Sequence, residues 1–142
     1  MNPNLSRYLD RIYPTIHSRR DTTVEAFELL DQSLTAGRTS ELTIRLRFWD
    51  GSLLQVTEAL VVQAYAIVKA RYSYHYQAAD GTLIFRHDNA PHFPDLEGFP
   101  DHRHERNQVL PASAPDLSQV LREIDGYLSL AAGATLDPHR RS

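Results

Sequence analysis

The alternation of apolar and polar side chains over residues 41–62 constrains the fold more than any other feature of this chain. Before Trp49-Asp50-Gly51, every second residue is apolar, which is typical of a strand with one buried face. A three-residue loop with Gly51 in the left-handed conformation sets Leu46 opposite Leu54 and gives the two strands one continuous apolar face. The segment therefore predicts a β-hairpin that must bury this face against another part of the chain.

A second hairpin is predicted directly after the first. Strands over Ile67–Gln77 and Thr82–Asp88 flank a turn at Ala79-Asp80-Gly81, so the pattern predicts an antiparallel meander in the middle of the chain. Residues 23–34 fit two patterns, either an amphipathic helix opened by a Thr22-x-x-Glu25 box or a further strand paired with the first hairpin. The sheet is therefore predicted to have four or five strands.

A helix is predicted at each end of the chain. The first spans Leu5 to His17 with Asn4 or Ser6 as its cap, and Pro14 is expected to end or kink it because proline removes a backbone donor. The last helix opens with Ser113-x-x-Asp116 and ends near Leu130, which leaves residues 131–142 as a flexible tail.

The order of these elements predicts the fold class. Residues 1–130 have the length of one domain with its own core. Five of the eight prolines lie between Pro91 and Pro115, so Asn89 to Ala114 is predicted to be a long loop. Helix, antiparallel strands, loop and helix together indicate an α+β fold in which both helices cover one face of the sheet.

The composition narrows the functions open to this domain. A net charge of −3 excludes a global basic field for nucleic-acid binding, so any contact with RNA must be local. The chain has no cysteine, which excludes a thiolate nucleophile and a cysteine-ligated zinc and suits a reducing compartment. No apolar run reaches the roughly 20 residues that span a bilayer, and no signal peptide is recognisable. We therefore expect a cytoplasmic protein with no membrane partner and no cofactor.

Five of the seven histidines lie within residues 75–104. A two-residue loop at Asp80-Gly81 sets His75 opposite Arg86 and places Asp88 on the same face, whereas a three-residue loop shifts this pairing by one residue. The first register is favoured because it places the tyrosines of one strand on the same face as the apolar residues of the other. An imidazole, a guanidinium and a carboxylate then converge beside the loop.

This constellation predicts metal-free cleavage of RNA. One imidazole would remove the proton of the 2′-hydroxyl, a second acid would protonate the leaving oxygen, and Arg86 would offset the charge of the phosphorane. The alternative is structural: Arg86 and Asp88 form an ion pair across the strands and His75 is a hydrogen-bonded surface residue.

His102-x-His104 indicates a different chemistry. If this segment is extended, the two imidazoles share a face and can ligate one metal ion, with His92, Asp101 or Asp88 completing the set. A solvent-exposed pair of histidines in a polar loop is the alternative.

Two further features have a functional and a structural interpretation. Glu58 is a general base if its strand neighbours the second hairpin, or otherwise an acid that caps the sheet edge or pairs with an arginine. Tyr72, Tyr74 and Tyr76 have the spacing of a base-stacking platform, but this spacing is more typical of core residues.

Four segments and the helix after them resemble the TumE-type family of small bacterial toxins from toxin–antitoxin pairs. The segments read DGSLL (50–54), RYSYHYQ (71–77), LIFRHDNAPH (83–92) and FPDHRH (99–104), and the likeness covers roughly Val24 to Leu128. The family pattern reads more often RYDNAPHH and FPHHxH. His87, Phe93 and Asp101 depart from it, and the last two changes remove candidate metal ligands.

The resemblance implies a strand over Val24 to Leu30, a role as a toxin, and a helix-turn-helix antitoxin as partner; it assigns no mechanism. Our leading hypothesis is a toxin that acts on RNA or the translation machinery as a metal-independent ribonuclease, neutralised by an antitoxin that covers the site. The alternatives are a non-enzymatic protein-binding module and a metal-dependent hydrolase that uses the HxH loop. The predicted catalytic residues are His75, Arg86, Asp88 and His92, and the predicted substrate-binding residues are Arg71, Asn89, His102 and His104.

Overall fold

The computed structural model describes residues 1–136, with side chains described as far as Gly133. Within these residues, two helices flank seven strands that form one antiparallel sheet in sequence order. The elements are α1 Pro3–His17, β1 Thr22–Leu30, β2 Ser40–Phe48, β3 Leu53–Val62, β4 Ile67–Gln77, β5 Leu83–Asp88, β6 His102–Glu105, β7 Gln108–Pro111 and α2 Leu117–Leu136. The predicted α+β class and the antiparallel meander are confirmed, although the sheet has seven strands instead of four or five.

The first hairpin forms as its alternation predicts. Leu46 pairs with Leu54 across β2 and β3, and Phe48 closes the three-residue turn by accepting a hydrogen bond from the Gly51 N–H at 2.9 Å. Gly51 has a φ of +83°, and a Cβ at this position would lie 2.9 Å from the Cβ of Ala79. The turn therefore needs glycine both for its backbone conformation and for its contact with the next hairpin.

The second hairpin has the favoured register but not the predicted turn. His75 pairs with Arg86, as expected. The loop, however, has three residues, because Ala78 donates to the Thr82 carbonyl at 2.8 Å and Gly81 is left-handed with a φ of +89°. A bulge next to Gln77 restores the register. The apolar face thus determines the pairing even where the turn changes.

The strand prediction is confirmed for Thr22–Leu30, which pairs with β2. The prediction of a loop from Asn89 to Ala114 is wrong over its second half, where β6 and β7 form another hairpin. Each of these strands has four residues, which is short enough to fit between prolines. Pro111 is the last residue of the edge strand β7, a position at which its missing N–H does not interrupt the sheet.

Both helices differ in detail from their predicted bounds. Asn2 caps α1 by accepting a hydrogen bond from the Asn4 N–H at 2.8 Å, so neither predicted cap is correct, and the helix continues through Pro14 to His17. The predicted Ser113 box is replaced by a reciprocal pair, in which Asp116 and Gln119 each accept from the other's N–H.

The C-terminal end also differs from the prediction. Helix α2 extends past Leu130 to Leu136, so the first half of the predicted tail is helical. Residues 137–142 of that tail lie outside the described residues.

Both helices pack on one face of the sheet. Tyr8 of α1 donates a hydrogen bond to Glu58 of β3, and the ring of Tyr127 in α2 lies 6.2 Å from that of Phe85 in β5. Apolar side chains of the helices and of this face form a single core. Among the described residues, no helix has the length and apolarity needed to cross a membrane.

The other side of the sheet, which we call the open face, carries polar side chains. Across neighbouring strands, one row of it runs through Arg45, Gln55, His75, Arg86 and His104. The segment 89–101 folds over the β5–β6 end of this face, where Phe93 places its ring 5.1 Å from that of His102. Of the predicted site residues, His75, Arg86 and His104 therefore lie on the face opposite the helices.

Candidate functional site

The site is built around the carboxylate of Asp88, the last residue of β5, which is 5% exposed. Its Oδ2 accepts a hydrogen bond from Arg86 Nε at 2.9 Å, and its Oδ1 accepts from the Ala90 N–H at 3.0 Å. Burial alone would raise the pKa of Asp88. The hydrogen bonds from Arg86 and Ala90 and the nearby positive charges outweigh burial and lower this pKa. Asp88 is therefore ionised at neutral pH and holds the start of the loop.

Arg86 is held between Asp88 and His75. Its Nη1 donates to His75 Nδ1 at 3.3 Å, while its side chain remains 39% exposed. His75 Nε2 lies 3.2 Å from Gln77 Oε1 and donates to it, because an amide oxygen can only accept. Burial and then the charge of Arg86 lower the pKa of His75, so its imidazole is neutral at pH 7. The guanidinium is fixed from two sides and still reaches solvent.

The two histidines of β6 complete the cluster. Extended backbone places His102 and His104 on one face, as predicted, and their Nε2 atoms lie 3.0 Å apart. His102 Nε2 is also 2.9 Å from Asp88 Oδ1, and His104 Nε2 is 3.5 Å from Asp88 Oδ2. Burial, together with the charges of His102 and Arg86, lowers the pKa of His104 against the opposing effect of Asp88. One atom from each of these three residues lies within 4.8 Å of the others.

A cleft of about 390 Å³ adjoins this cluster. Thr43 and Thr57 line it on the sheet, and Arg71 and Arg86 bring two guanidinium groups to it. The segment from Asp88 to Pro91 also lines this cleft. Glu41 and Glu58 line the cleft as well, so the part of it that suits an anion is the pair of guanidinium groups, since arginine binds phosphate through paired N–H groups.

The remaining predicted site residues are less closely tied to the cluster. The side-chain amide of Asn89 forms two hydrogen bonds with the backbone of β4. It accepts from the Tyr72 N–H at 3.0 Å and donates to the Ala70 carbonyl at 3.0 Å. Arg71 is exposed and lies 3.9 Å from Glu41. His92 is an exposed loop residue whose ring lies 6.5 Å from that of Phe93. The structure thus brings His75, Arg86, Asp88, His102 and His104 together and leaves His92 at the periphery.

Glu58 and the tyrosines lie on the helix-covered face. Glu58 is 3% exposed and accepts hydrogen bonds from Tyr8 and Tyr74, while Lys69 Nζ lies 4.0 Å from it. Neither the sheet-edge nor the arginine interpretation of Glu58 is correct. Tyr72, Tyr74 and Tyr76 are buried, as the core interpretation of their spacing predicts, so they are not available to stack on bases.

Three residues that contribute to the site were not predicted from the sequence. The carbonyl of Pro100 accepts from His102 Nδ1 at 2.8 Å and so fixes the ring of His102. No local pattern indicates this contact, because it depends on the β6–β7 hairpin, which was not predicted in this proline-rich segment. Thr43 and Thr57, in contrast, pair directly across β2 and β3 and point outward by the same alternation that predicted the hairpin.

A protein-family model described as toxin TumE matches residues 14–128 of this chain. The chain belongs to the TumE toxin family. The match spans the whole of β1 to β7, so every residue of the cluster lies within the TumE region. Neither the search of curated proteins nor the search of solved structures found a match.

Membership in the TumE family gives the chain its broad role. It is the toxin component of a toxin–antitoxin system, and an antitoxin is its partner. The resemblance seen in the sequence is thereby confirmed. In this TumE toxin, the polar cluster on the open face is the candidate site at which the toxin acts.

Proposed function

We propose that this TumE toxin acts on RNA in the cytoplasm as a ribonuclease, with the open face as its active surface. The observation that carries the proposal is the position of Arg86, whose guanidinium is fixed by Asp88 and His75 and lines the same cleft as Arg71. Two arginines in one cleft can bind a phosphodiester and its neighbour even though the chain has a net charge of −3. RNA from the translation machinery is the substrate class that this proposal favours.

The proposed reaction is transfer of the phosphodiester to the adjacent 2′-oxygen. A base removes the proton of the 2′-hydroxyl, and the 2′-oxygen forms a bond to phosphorus as the bond from phosphorus to the 5′-oxygen breaks. An acid gives a proton to the departing 5′-oxygen. The products are a 2′,3′-cyclic phosphate and a 5′-hydroxyl, and Arg86 stabilises the charge that develops on the phosphoryl oxygens.

His75 is the proposed base. Its lowered pKa keeps the imidazole neutral, and Nδ1 is the nitrogen that can accept a proton, since Nε2 donates to Gln77. In the free protein, Nδ1 accepts a long 3.3 Å hydrogen bond from Arg86. A phosphate that draws the guanidinium towards itself would release this lone pair for the reaction.

His92 is the proposed acid, because it is an exposed imidazole that follows the cleft-lining residues Asp88 to Pro91. Asp88 positions Arg86, and Asn89 positions the start of this loop. In this scheme Asn89 orients the binding surface without contacting the substrate, whereas Arg71 contacts a second phosphate.

The proposed antitoxin is a helix-turn-helix protein that neutralises the toxin by covering the open face. Such a partner must neutralise or bind the two arginines of the cleft, so we expect it to present carboxylates there.

Expression of the chain in bacteria tests the proposal. The wild-type protein is expected to arrest growth and degrade RNA, and Arg86→Ala is expected to abolish both effects at equal protein level. Arg45→Ala is a matched control, because Arg45 lies on the same face and its side chain is 40% exposed against 39% for Arg86, but it pairs with Glu25 outside the cleft. Arrest by Arg86→Ala as strong as that by the wild type would exclude this site. Arrest with intact RNA would favour the protein-binding alternative.

A further inference from the structure

The buried ring of His102 has close polar neighbours at both of its nitrogens. The carbonyl of Pro100 can only accept, so His102 Nδ1 must carry a hydrogen. His102 Nε2 lies 2.9 Å from Asp88 Oδ1 and 3.0 Å from His104 Nε2, so a carboxylate oxygen and a second imidazole both face this nitrogen. A proton on Nε2 would serve the contact with Asp88, whereas a metal ion would contact all three side chains at once.

The three side chains also have the spacing of ligands around one metal ion. His102 Nε2 lies 2.9 Å from Asp88 Oδ1 and 3.0 Å from His104 Nε2, and His104 Nε2 lies 3.5 Å from the second carboxylate oxygen, Asp88 Oδ2. Ligands placed about 2.1 Å from a metal ion are separated by roughly 3.0 Å in octahedral and 3.4 Å in tetrahedral geometry. The observed separations bracket these values, so the side chains need little movement to bind a metal.

The surroundings resemble those of protein metal sites. The ring of His102 is oriented by a backbone carbonyl, and the carboxylate of Asp88 is oriented by Arg86 and by the Ala90 N–H. Metal ligands in proteins are usually held by such outer contacts. His102 is 1% exposed, whereas the side chain of His104 is 27% exposed, so the cluster is both built into the fold and open on one side.

We infer that Asp88, His102 and His104 form a binding site for one divalent transition-metal ion. Two imidazole nitrogens and one carboxylate oxygen favour Zn²⁺, Mn²⁺ or Fe²⁺ over Mg²⁺, which prefers an all-oxygen shell. Three protein ligands leave at least one position for water or for an oxygen of a bound molecule. Arg86 donates to Asp88 and lines the cleft with it, so the metal would add positive charge at the end of the cleft where a phosphate is proposed to bind.

The inference goes beyond the proposed function and does not depend on it, because the residues proposed to transfer protons are His75 and His92. The test therefore measures metal binding and not RNA cleavage. The full-length chain without a polyhistidine tag is stripped with a chelator and titrated with Zn²⁺, Mn²⁺ or Mg²⁺ in a calorimeter, and the metal content after dialysis is measured by mass spectrometry.

We expect one equivalent of Zn²⁺ or Mn²⁺ per chain and much weaker binding of Mg²⁺. His104→Ala should weaken affinity by more than the roughly 10- to 100-fold that is typical of outer-contact substitutions, and Asp88→Asn should have the same direction of effect. His92→Ala is the matched control, since it removes an exposed histidine from the neighbouring loop and should leave affinity unchanged. Saturating metal should also raise the melting temperature of the wild type by on the order of 5 to 10 °C, but not that of His104→Ala.

Three results would overturn the inference: no stoichiometric binding by the wild type, equal affinity in His104→Ala with its fold intact by circular dichroism, or an equal loss in His92→Ala. Failure of the proposed function can be told apart from failure of the metal site. If the chain binds one metal ion but cleaves no RNA, the metal site is supported and the proposed function is contradicted. If the chain cleaves RNA but binds no metal ion, the proposed function is supported and the metal site is contradicted.

Discussion

The two faces of the sheet each carry a buried carboxylate, and the two carboxylates have different surroundings. On the helix-covered face, Glu58 is closed in by Tyr8 of α1, by Tyr74 and by Lys69. On the open face, Asp88 contacts Arg86 and His104, whose side chains are 39% and 27% exposed. Both acids are almost fully buried, at 3% and 5% exposure. The partners of Asp88 are the more exposed ones, since the side chain of Lys69 is 20% exposed.

This difference separates a structural cluster from a candidate site. Burial and the charge of Glu58 raise the pKa values of Tyr8 and Tyr74 well above the usual range, and burial lowers the pKa of Lys69. Each of these hydroxyl groups donates to Glu58, so the cluster joins α1 to the sheet. A buried acid is therefore not a sign of function by itself. What marks the open face is a fixed carboxylate whose partners can reach a substrate.

The largest effect on stability is expected from Glu58→Ala. It removes the shared acceptor of two buried hydroxyl groups and the counter-charge of Lys69, so we predict a loss of about 3 to 5 kcal/mol in the free energy of unfolding. Urea denaturation followed by circular dichroism measures this loss. Glu28→Ala is the control, because Glu28 is exposed on β1 and its removal should change stability by no more than about 0.5 kcal/mol. Equal stability of the two variants would show that the helix-covered cluster is not structural.

Arg86→Ala should reduce activity much more than stability, whereas Glu58→Ala should mainly reduce stability. We predict that the rate of RNA cleavage by the purified protein falls roughly 10²- to 10³-fold, as for other groups that stabilise developing charge. The loss of stability should be only about 1 to 2 kcal/mol, since Asp88 keeps the Ala90 N–H as a donor. A large loss of stability with an unchanged rate per folded molecule would reverse the assignment of the two faces.

Tyr8→Phe is a milder change to the helix-covered cluster than Glu58→Ala. It removes one of the two donors to Glu58 and leaves Tyr74 in place, so we predict a loss of about 1 kcal/mol in the free energy of unfolding. RNA cleavage at saturating substrate should stay at the wild-type rate. A reduced rate in this variant would mean that the two faces are coupled through the sheet.

The smallest effect concerns the pKa of His75. In the wild type this pKa lies below the ordinary value because of burial and of the Arg86 charge. Arg86→Gln removes the second cause, so the pKa should rise, and the imidazole should become protonated at a higher pH than in the wild type. Titration of the ring resonances by NMR measures the change. An unchanged pKa would indicate that Arg86 does not hold its position beside His75 in solution.

Much of this fold was predictable because alternation sets both the strands and their pairing. The apolar stripe of β2 and β3 determines their register, and the same reasoning selected the pairing of His75 with Arg86. The extended geometry of His102-x-His104 was also predictable from the residue spacing alone. These predictions succeed because the side-chain period of a strand is two residues.

Other parts of the fold and of the candidate site depend on long-range contacts that no local sequence pattern indicates. The hairpin of β6 and β7 is too short and too rich in proline to produce a pattern, so the meeting of His102 with Asp88 was only one of three options for the HxH pair. The role of Glu58 depends on Tyr8, which is 50 residues away along the chain. Long-range packing, and not local propensity, decides both features.

In the proposed mechanism, the open face cleaves RNA by attack of the 2′-oxygen. The most direct measurement compares the purified chain on an RNA oligonucleotide and on the same oligonucleotide methylated at every 2′-oxygen, with the products identified by mass spectrometry. This mechanism predicts that only the unmodified RNA is cut and that its fragments end in a 2′,3′-cyclic phosphate and begin with a 5′-hydroxyl. Failure to cut the unmodified RNA, or cleavage of the methylated RNA, would contradict it.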